Sequence, residues 1–330
     1  MIERDSIGTD AHSFKKGKAA AFAASALTAV AAVATIGISV FVGLRMTKKP
    51  RKPIDDHPDK HGMVYEDIHF LSRDGRTALK GWVLEPLDGK AKMTIIFSHG
   101  YAGNRLEPNV GFMSLSQRFI RRGFRVVLFD FRRSGESGGK TITIGTKEKL
   151  DLLGAIDWVK RHDPGTPIGL YGISMGASTS ILSAAEEPAV IAVVADSPFS
   201  DLKSYLRENL PVWTNLPHFP FTRVMMSTIP VLTGVKPHET SPISVLDKLI
   251  PRKVLFIHGK GDAAIPCSES RKMAESFPEH FELWLTDCGG HVKSYETDPE
   301  TYAEKVIAFF DQQLQGIQAV KSELRPSLTT

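Results

Sequence analysis

Apolar and polar positions alternate along most of this chain in patterns that predict strands and helices. From about residue 63, "VYEDIHFLS" and "TALKGWVLEP" alternate in polarity and predict an antiparallel pair of strands exposed on one face. Short and mostly apolar runs follow, which is the pattern of buried parallel strands. These runs are "MTIIFS", "RVVLFD", "IGLYG", "VIAVVAD", "KVLFIHG" and "FELWLTD".

Helical patterns separate these strands, for example "KEKLDLLGAIDWVKRH" and the closing "ETYAEKVIAFFDQQL". Strand and helix in alternation predict an α/β fold with a mostly parallel central sheet and helices on both faces. The alternation is interrupted between residues 197 and 250, where seven prolines and several large apolar residues occur without a convincing strand. We predict a small cap insertion over the carboxyl ends of the strands, where such sheets place their sites. The alternative is ordinary helical packing without ligand contact.

A separate pattern occupies residues 19–44, the run "AAAFAASALTAVAAVATIGISVFVGL", which carries no charge. An uncharged run of this length can cross a bilayer as a helix, and the absence of a polar face disfavours a buried helix of a soluble protein. We predict a retained single-pass anchor in the cell membrane. A cleaved signal peptide is the other alternative, with a possible processing site within residues 29–34. Basic residues lie on both sides of the run, so the positive-inside rule does not orient it.

These patterns divide the chain into a polar tail (1–18), a transmembrane helix (19–44), a charged linker (45–62), an α/β domain (63–316) and a C-terminal tail (317–330), with the cap at about 197–250.

The composition is globular, with 42% hydrophobic and 24% charged residues. Much of the +4 net charge flanks the apolar run, so a nucleic-acid partner is not expected. The two cysteines, Cys267 and Cys288, form neither a Cys-rich scaffold nor a zinc motif. We expect no metal and no cofactor. The oligomeric state is left open.

The motif Gly-x-Ser-x-Gly occurs twice, around Ser174 in "GISMG" and around Ser137 in "GESGG". The first follows an apolar strand and precedes "MGASTSILSAAEE", a helix of small and apolar residues. The second lies in a charged loop that no helix follows. A tight strand-to-helix turn projects its central hydroxyl from the sheet edge, and only small flanking residues fit there. We therefore predict Ser174, and not Ser137, as a nucleophile.

A serine nucleophile needs a base, and the base needs an orienting acid. His291 follows the last strand directly in "DCGGHVKSY", whereas His280 precedes that strand and belongs at the wrong edge. Asp262 in "HGKGDAAIP" follows the strand that neighbours the last one. Asp196, which also ends a strand, is its competitor. Geometry of the predicted sheet favours His291 as base and Asp262 as acid.

An oxyanion also needs hydrogen-bond donors. The loop in "FSHGYAGN" ends an early strand, and it would bring the backbone N–H of Tyr101 towards that of Met175. We predict these two N–H groups as the oxyanion donors. His99 in the same loop is expected to be structural.

The motifs "HGYAGN", "DFRRSGESGG", "GISMG", "HGKGD" and "GGHVKSY", in this order, resemble those of the α/β-hydrolase superfamily. The resemblance runs from about Tyr65 to Leu314 and is strongest to single-domain, membrane-attached hydrolases related to prolyl-oligopeptidase-type and acyltransferase-type enzymes. It implies Ser174, His291 and Asp262 as nucleophile, base and acid, with oxyanion donors at Tyr101 and Met175. It also implies that "GESGG" is a structural loop. The Arg-Gly pair usual in the second motif is Arg132–Arg133 here, which leaves the geometry of that loop less defined.

The sequence thus predicts a serine hydrolase that cleaves carboxylic esters or thioesters of a small-molecule or lipid-like acyl substrate through an acyl-enzyme. A peptidase or amidase with the same three residues is the alternative. A catalytically silent, membrane-tethered binding protein is a further one, since fold alone does not guarantee activity. Cys267 and Cys288 flank the acid and the base. They pair if the domain faces an oxidising compartment and otherwise stay free thiols.

Overall fold

A computed structural model describes residues 8–324, which form an eight-stranded sheet with helices on both faces. The strands are β1 (Tyr65–Leu71), β2 (Ala78–Leu84), β3 (Met93–Ser98), β4 (Phe124–Phe129), β5 (Ile168–Ile173), β6 (Val190–Asp196), β7 (Lys253–Gly259) and β8 (Phe281–Thr286). Their order in the sheet is β1-β2-β4-β3-β5-β6-β7-β8. β1 and β2 pair antiparallel, β2 pairs antiparallel with β4, and the remaining pairs are parallel. The predicted α/β fold is confirmed.

The helices are α1 (Gly8–Thr47), α2 (Phe112–Arg121), α3 (Glu148–His162), α4 (Met175–Glu186), α5 (Leu202–Thr214), α6 (Arg223–Thr233), α7 (Ser268–Ala274), α8 (Ser294–Thr297) and α9 (Pro299–Leu324). The central strands are apolar at every position because both sides of the sheet are covered. In β3, Ile95 and Phe97 pack with α2 and α9 on one face. Ile96 between them packs with α3 and α4 on the other face.

Helix α1 differs from the sequence prediction in where it begins and ends. It starts at Gly8 and ends at Thr47, so it includes part of the segment predicted as a tail and the first residues of the predicted linker. Alanine and lysine favour helix in the N-terminal flank, and arginine and methionine do so in the C-terminal flank. α9 likewise runs to Leu324, beyond the boundary predicted at 316. Residues 1–7 and 325–330 of the predicted tails lie outside the described residues.

The apolar part of α1, Ala20–Thr47, has the length and composition to cross a membrane. Only 11% of its most apolar window is buried, so it is not a core helix of the α/β domain. Residues 20–34 are exposed all round the helix. From Ser39 onward one face is covered: Ser39, Gly43 and Thr47, spaced four apart, are buried, whereas Phe41 is exposed. From residue 20 onward, α1 is therefore exposed along most of its length and packs on the α/β domain only in its last turns.

The segment predicted as a cap, 197–250, contains α5 and α6 joined by turns. Its apolar residues form their own cluster, with Phe199, Leu206 and Met225 among the buried members. Val42 and Met46 of α1 pack against this cluster. The segment and the end of α1 thus share one apolar interior, apart from the two cores that flank the sheet.

Candidate active site

The turn between β5 and α4 holds Ser174 in a conformation that few residues adopt. Ser174 has φ 51° and ψ −121°, and its N–H donates to Asp196 O at 2.7 Å. A Cβ atom on Gly176 would lie 2.1 Å from Ser98 O, and one on Gly172 would lie 2.5 Å from Gly176 O. Both contacts are with backbone, which cannot move aside. The two glycines therefore allow a strained, tightly packed turn that holds the Ser174 hydroxyl at the sheet edge.

Ser174, His291 and Asp262 lie in one hydrogen-bonded chain. Ser174 Oγ is 2.8 Å from His291 Nε2, and His291 Nδ1 is 2.7 Å from Asp262 Oδ2. An ionised carboxylate only accepts, so Nδ1 carries the proton and donates it to Asp262. Nε2 then accepts from the Ser174 hydroxyl. The structure brings together the three residues that the sequence predicted, in the order that activates a hydroxyl.

The Asp262 carboxylate is buried and surrounded by donors. Its Oδ1 accepts the N–H groups of Ala264 at 2.9 Å and Ile265 at 3.0 Å. Burial raises the pKa of Asp262, but hydrogen bonding with His258 and His291 outweighs it and leaves that pKa well below its ordinary value. The carboxylate therefore stays ionised.

His258 is a part of this site that sequence reasoning missed. It lies four residues before Asp262 and is buried, with Nε2 3.4 Å from Asp262 Oδ2 and 2.8 Å from Ile265 O. Its Nδ1 is 2.7 Å from Ser270 Oγ. A polar residue at the end of the otherwise apolar run "KVLFI" was the available signal.

The competing residues have other partners. Asp196 accepts hydrogen bonds from Tyr302 Oη and Ser197 Oγ, both at 2.8 Å, and has none with His291. Burial raises the pKa of Asp196 above its ordinary value. His280 precedes β8 and lies at the opposite edge from His291, as predicted. Ser137 is buried, donates to Asp130 O and accepts from Lys80 N–H, so "GESGG" is the structural loop that was expected.

The loop after β3 runs directly beside Ser174. A Cβ on Gly100 would lie 3.6 Å from Ser174 Cβ. Tyr101 and Met175 line the same pocket as Ser174. Met175 is the first residue of α4, where a backbone N–H has no partner within the helix. Both residues that carry the predicted donors therefore line the pocket that contains Ser174.

Two buried side chains hold this loop. His99 accepts the Phe131 N–H on Nε2 at 3.0 Å, and its Nδ1 is 2.8 Å from Gly100 O. Burial lowers the pKa of His99 to about 4, so the ring is neutral and structural, as predicted. Glu107, which sequence reasoning missed, accepts the Gly100 N–H on Oε1 at 3.2 Å. The His99 contact joins residues 32 positions apart, and the Glu107 contact spans seven residues of a loop. No local sequence pattern therefore indicated Glu107.

An apolar pocket opens from the Ser174 hydroxyl. Besides Ser174, Tyr101 and Met175, it is lined by Met46, Ile144, Phe199, Tyr205, Leu206, Trp213 and Ile265. The Trp213 ring lies edge-on to His291 with centroids 6.3 Å apart. Trp213 Nε1 donates to Tyr205 Oη at 2.6 Å, and Tyr205 Oη donates to Ala264 O at 2.8 Å. The segment 197–250 thus contributes the wall that faces the histidine.

Cys267 and Cys288 are free thiols, so the structure does not show the hypothesised disulfide. Within residues 8–324, no group of three or more His, Cys, Asp or Glu side chains is arranged to hold a metal ion.

Known proteins resemble this chain in both sequence and structure. The sequence model of the X-Pro dipeptidyl-peptidase (S15) family matches residues 74–228. Uncharacterized protein YqkD of Bacillus subtilis is 34% identical over 236 residues, 71% of this chain and 75% of its own length. The lysophosphatidylserine lipase ABHD12 of Gallus gallus is 26% identical over 64% of this chain and 57% of its own length.

Among solved structures, the esterase Pf2001 of Pyrococcus furiosus superposes with a TM-score of 0.67 at 27% identity, covering 81% of this chain and 98% of that protein. The sheet and helices of this chain therefore superpose on those of a solved esterase over nearly the whole length of that protein.

Proposed function

The chain belongs to the α/β-hydrolase superfamily of serine hydrolases, and on that premise we propose that it cleaves carboxylic esters or thioesters through an acyl-enzyme. One observation carries the proposal: Ser174, His291 and Asp262 form a continuous hydrogen-bonded chain at the mouth of an apolar pocket. Such a chain turns a weakly nucleophilic hydroxyl into a reactive one.

In the first half-reaction, Ser174 Oγ attacks the acyl carbon while its proton passes to His291 Nε2. The bond from the acyl carbon to the leaving oxygen or sulfur then breaks, and Nε2 returns the proton to the leaving group. Water repeats these steps on the acyl-enzyme, which releases the carboxylic acid and restores the Ser174 hydroxyl. Asp262 keeps the imidazole in the required tautomer and stabilises its positive charge.

The oxyanion that forms in each half-reaction needs fixed donors. In this proposal the backbone N–H groups of Tyr101 and Met175 supply them, because both residues border Ser174 in the pocket. Their contribution is about 3 kcal/mol each in transition-state stabilisation. His99 and Glu107 act through the loop and are positioning residues.

The pocket favours an acyl substrate over a peptide. None of the side chains that line it carries a charge, so a fatty acyl group would be buried there without an unpaired ion. The match to a dipeptidyl-peptidase family supports amide cleavage as the second candidate. A peptide that loses its N-terminal dipeptide, however, presents a free ammonium group, and no carboxylate is among the residues that line the pocket to receive it.

We also propose that α1 anchors the enzyme in the cell membrane, with an acyl lipid or small acyl ester as its partner. The exposed apolar surface of residues 20–34 supports an anchor. Intact mass spectrometry of the chain extracted from membranes tests this. A chain that begins after residue 34 would identify a cleaved signal peptide instead.

The proposed chemistry is tested with the full chain in detergent and a fluorophosphonate probe. We expect the parent to be labelled and Ser174→Ala to lose labelling. Ser137→Ala is the matched control, because Ser137 sits in the other Gly-x-Ser-x-Gly motif, and it should keep its labelling. Hydrolysis of p-nitrophenyl esters compared with peptide anilides then separates esterase from amidase. Full labelling of Ser174→Ala would overturn the assignment.

A further inference from the structure

A second apolar pocket adjoins the one at Ser174. The two share Met46, Ile144 and Leu206 as a common wall. Beyond that wall, the second pocket is lined by Leu210, Met225, Met226, Ile229 and Val235 of the cap segment, by Gly43 and Thr47 of α1, and by two prolines. Since the Met46 side chain is unbranched and adapts readily to apolar surroundings, its rotation can open the shared wall without backbone movement. The two pockets then form one apolar channel.

The far end of this channel is built by the anchor helix. A Cβ atom on Gly43 would lie 2.0 Å from Ile229 Cδ1, so α1 and α6 cross with almost no space between them. Ile142 N–H donates to Thr47 O at 2.8 Å, and Tyr101 Oη donates to Met46 O. The last turn of α1 is thus bonded to the domain and to the very loop that carries the Tyr101 N–H.

The position of this junction relative to a bilayer follows from α1 itself. Residues 20–38 lie almost wholly exposed, and at 1.5 Å per residue they span about 28 Å, close to the hydrocarbon thickness of a membrane. The α1 residues that line the second pocket, Gly43, Met46 and Thr47, follow within the next nine residues of the helix. The channel therefore begins where α1 leaves the hydrocarbon layer.

The cap surface around the junction is also apolar. Phe219, Val231 and Leu232 belong to or precede α6, which packs on α1, and their side chains are 71%, 84% and 53% exposed. Exposed aromatic and aliphatic side chains beside a membrane-spanning helix are typical of a surface that rests in the lipid interface.

From these contacts we infer that the end of the membrane anchor is part of the acyl-binding site, and that an acyl chain enters from the bilayer through the second pocket, beside the contact of α1 with α6, to reach Ser174. The substrate class is then a long-chain acyl lipid resident in the same membrane. This inference rests on the proposed function, since it takes Ser174 as the reacting group. It adds a second role for α1 beyond tethering.

The test uses the full chain in phosphatidylcholine vesicles with two substrates, p-nitrophenyl palmitate dissolved in the bilayer and p-nitrophenyl butyrate in water. Met225→Trp fills the second pocket, and we expect the ratio of kcat/KM for palmitate to that for butyrate to fall about tenfold or more, the value of roughly two methylene groups lost from an apolar site. Leu210→Phe is a second filling variant, and fluorophosphonate labelling reports that each variant folds.

Lys203→Trp is the matched control. It adds the same ring to the same cap, on α5, at a side chain that is exposed, outside both pockets and not among the residues of the lipid-facing surface. Its palmitate-to-butyrate ratio should equal that of the parent. If both filling variants are labelled and keep the parent ratio, the channel does not hold the acyl chain and the inference is wrong. The proposed function stands in that case, whereas a parent that neither labels nor hydrolyses butyrate overturns the proposed function itself.

A further measurement shows whether the acyl chain reaches the site from the bilayer or from water. At constant total ester, the palmitate rate should rise with the mole fraction of ester in the vesicle that contains the enzyme. A rate set only by total ester concentration, whatever the vesicle composition, would show access from water and overturn the inference.

Discussion

Replacing Asp262 by Asn separates the orienting role of this carboxylate from its volume. The Asn side chain has the same shape, and its oxygen can still accept the N–H groups of Ala264 and Ile265. Its NH₂ group then faces His291 Nδ1, which has to become an acceptor. The imidazole proton moves to Nε2 and points at Ser174 Oγ, so the base is lost although the fold is kept.

The expected loss of activity follows from that tautomer change. The same change in a Ser-His-Asp triad lowers turnover about 10⁴-fold, which corresponds to about 5 kcal/mol in transition-state free energy. The assay is kcat/KM for p-nitrophenyl butyrate with the full chain in detergent. Fluorophosphonate labelling should slow in parallel, because it needs the same activated hydroxyl.

Asp196→Asn is the matched control. Asp196 is also buried and also ends a strand, but its oxygens accept from Tyr302 and Ser197. Disturbing these bonds should lower the unfolding free energy by about 1–2 kcal/mol, while kcat/KM falls by less than about tenfold. The reasoning is refuted if Asp262→Asn keeps its activity and Asp196→Asn loses it, since the sheet would then present the other acid to the base.

Two further predictions concern the backbone around Ser174. Gly176→Ala places a methyl group 2.1 Å from Ser98 O. It should lower the unfolding free energy measured in urea by about 2–3 kcal/mol and remove most fluorophosphonate labelling. Gly316→Ala is the control, because its methyl group meets nothing within 4 Å, and it should lower neither. His99 has a folded pKa of about 4 against about 6.5 when unfolded, so the unfolded state binds more protons between these values and stability falls as pH drops through that window. From neutral pH to about pH 5 the loss of unfolding free energy is about 2 kcal/mol. His99→Gln keeps one donor and one acceptor, and it should reduce the slope of unfolding free energy against pH. An unchanged slope contradicts the role given to His99.

The elements with a strong local pattern were predictable from sequence. "MTIIFS" became β3 with the same bounds, because a strand covered on both faces is apolar at every position. Ser174 and Ser137 share one motif, and the helix that follows only the first was enough to separate them. Asp262 and His291 were found through the order of strands, since neighbouring parallel strands deliver their loops to one edge.

The residues that sequence reasoning missed depend on contacts between distant parts of the chain. Glu107 reaches back to Gly100 through a turn with no recognisable pattern, and its own φ is 31°. His258 is visible in the sequence only as a polar residue that ends an apolar run, and that signal does not place its ring beside Asp262. The role of Met46 was also invisible, because an apolar run predicts a membrane helix by composition alone, and only tertiary packing shows which end returns to the domain.

The site combines a rigid half with an adaptable one, and the chemistry of each half requires this. Strain at Ser174 persists because backbone atoms of β3 press on Gly176 and because His99 and Glu107 fix the adjoining loop through buried hydrogen bonds. Donors and nucleophile then keep their positions when charge develops on the substrate. The opposite wall consists of side chains such as Met46 and Leu206, which make no hydrogen bond there and can repack around chains of different length. In the proposed function, the first wall fixes which bond is broken and the second wall, which the end of α1 helps to form, accommodates acyl groups of different length.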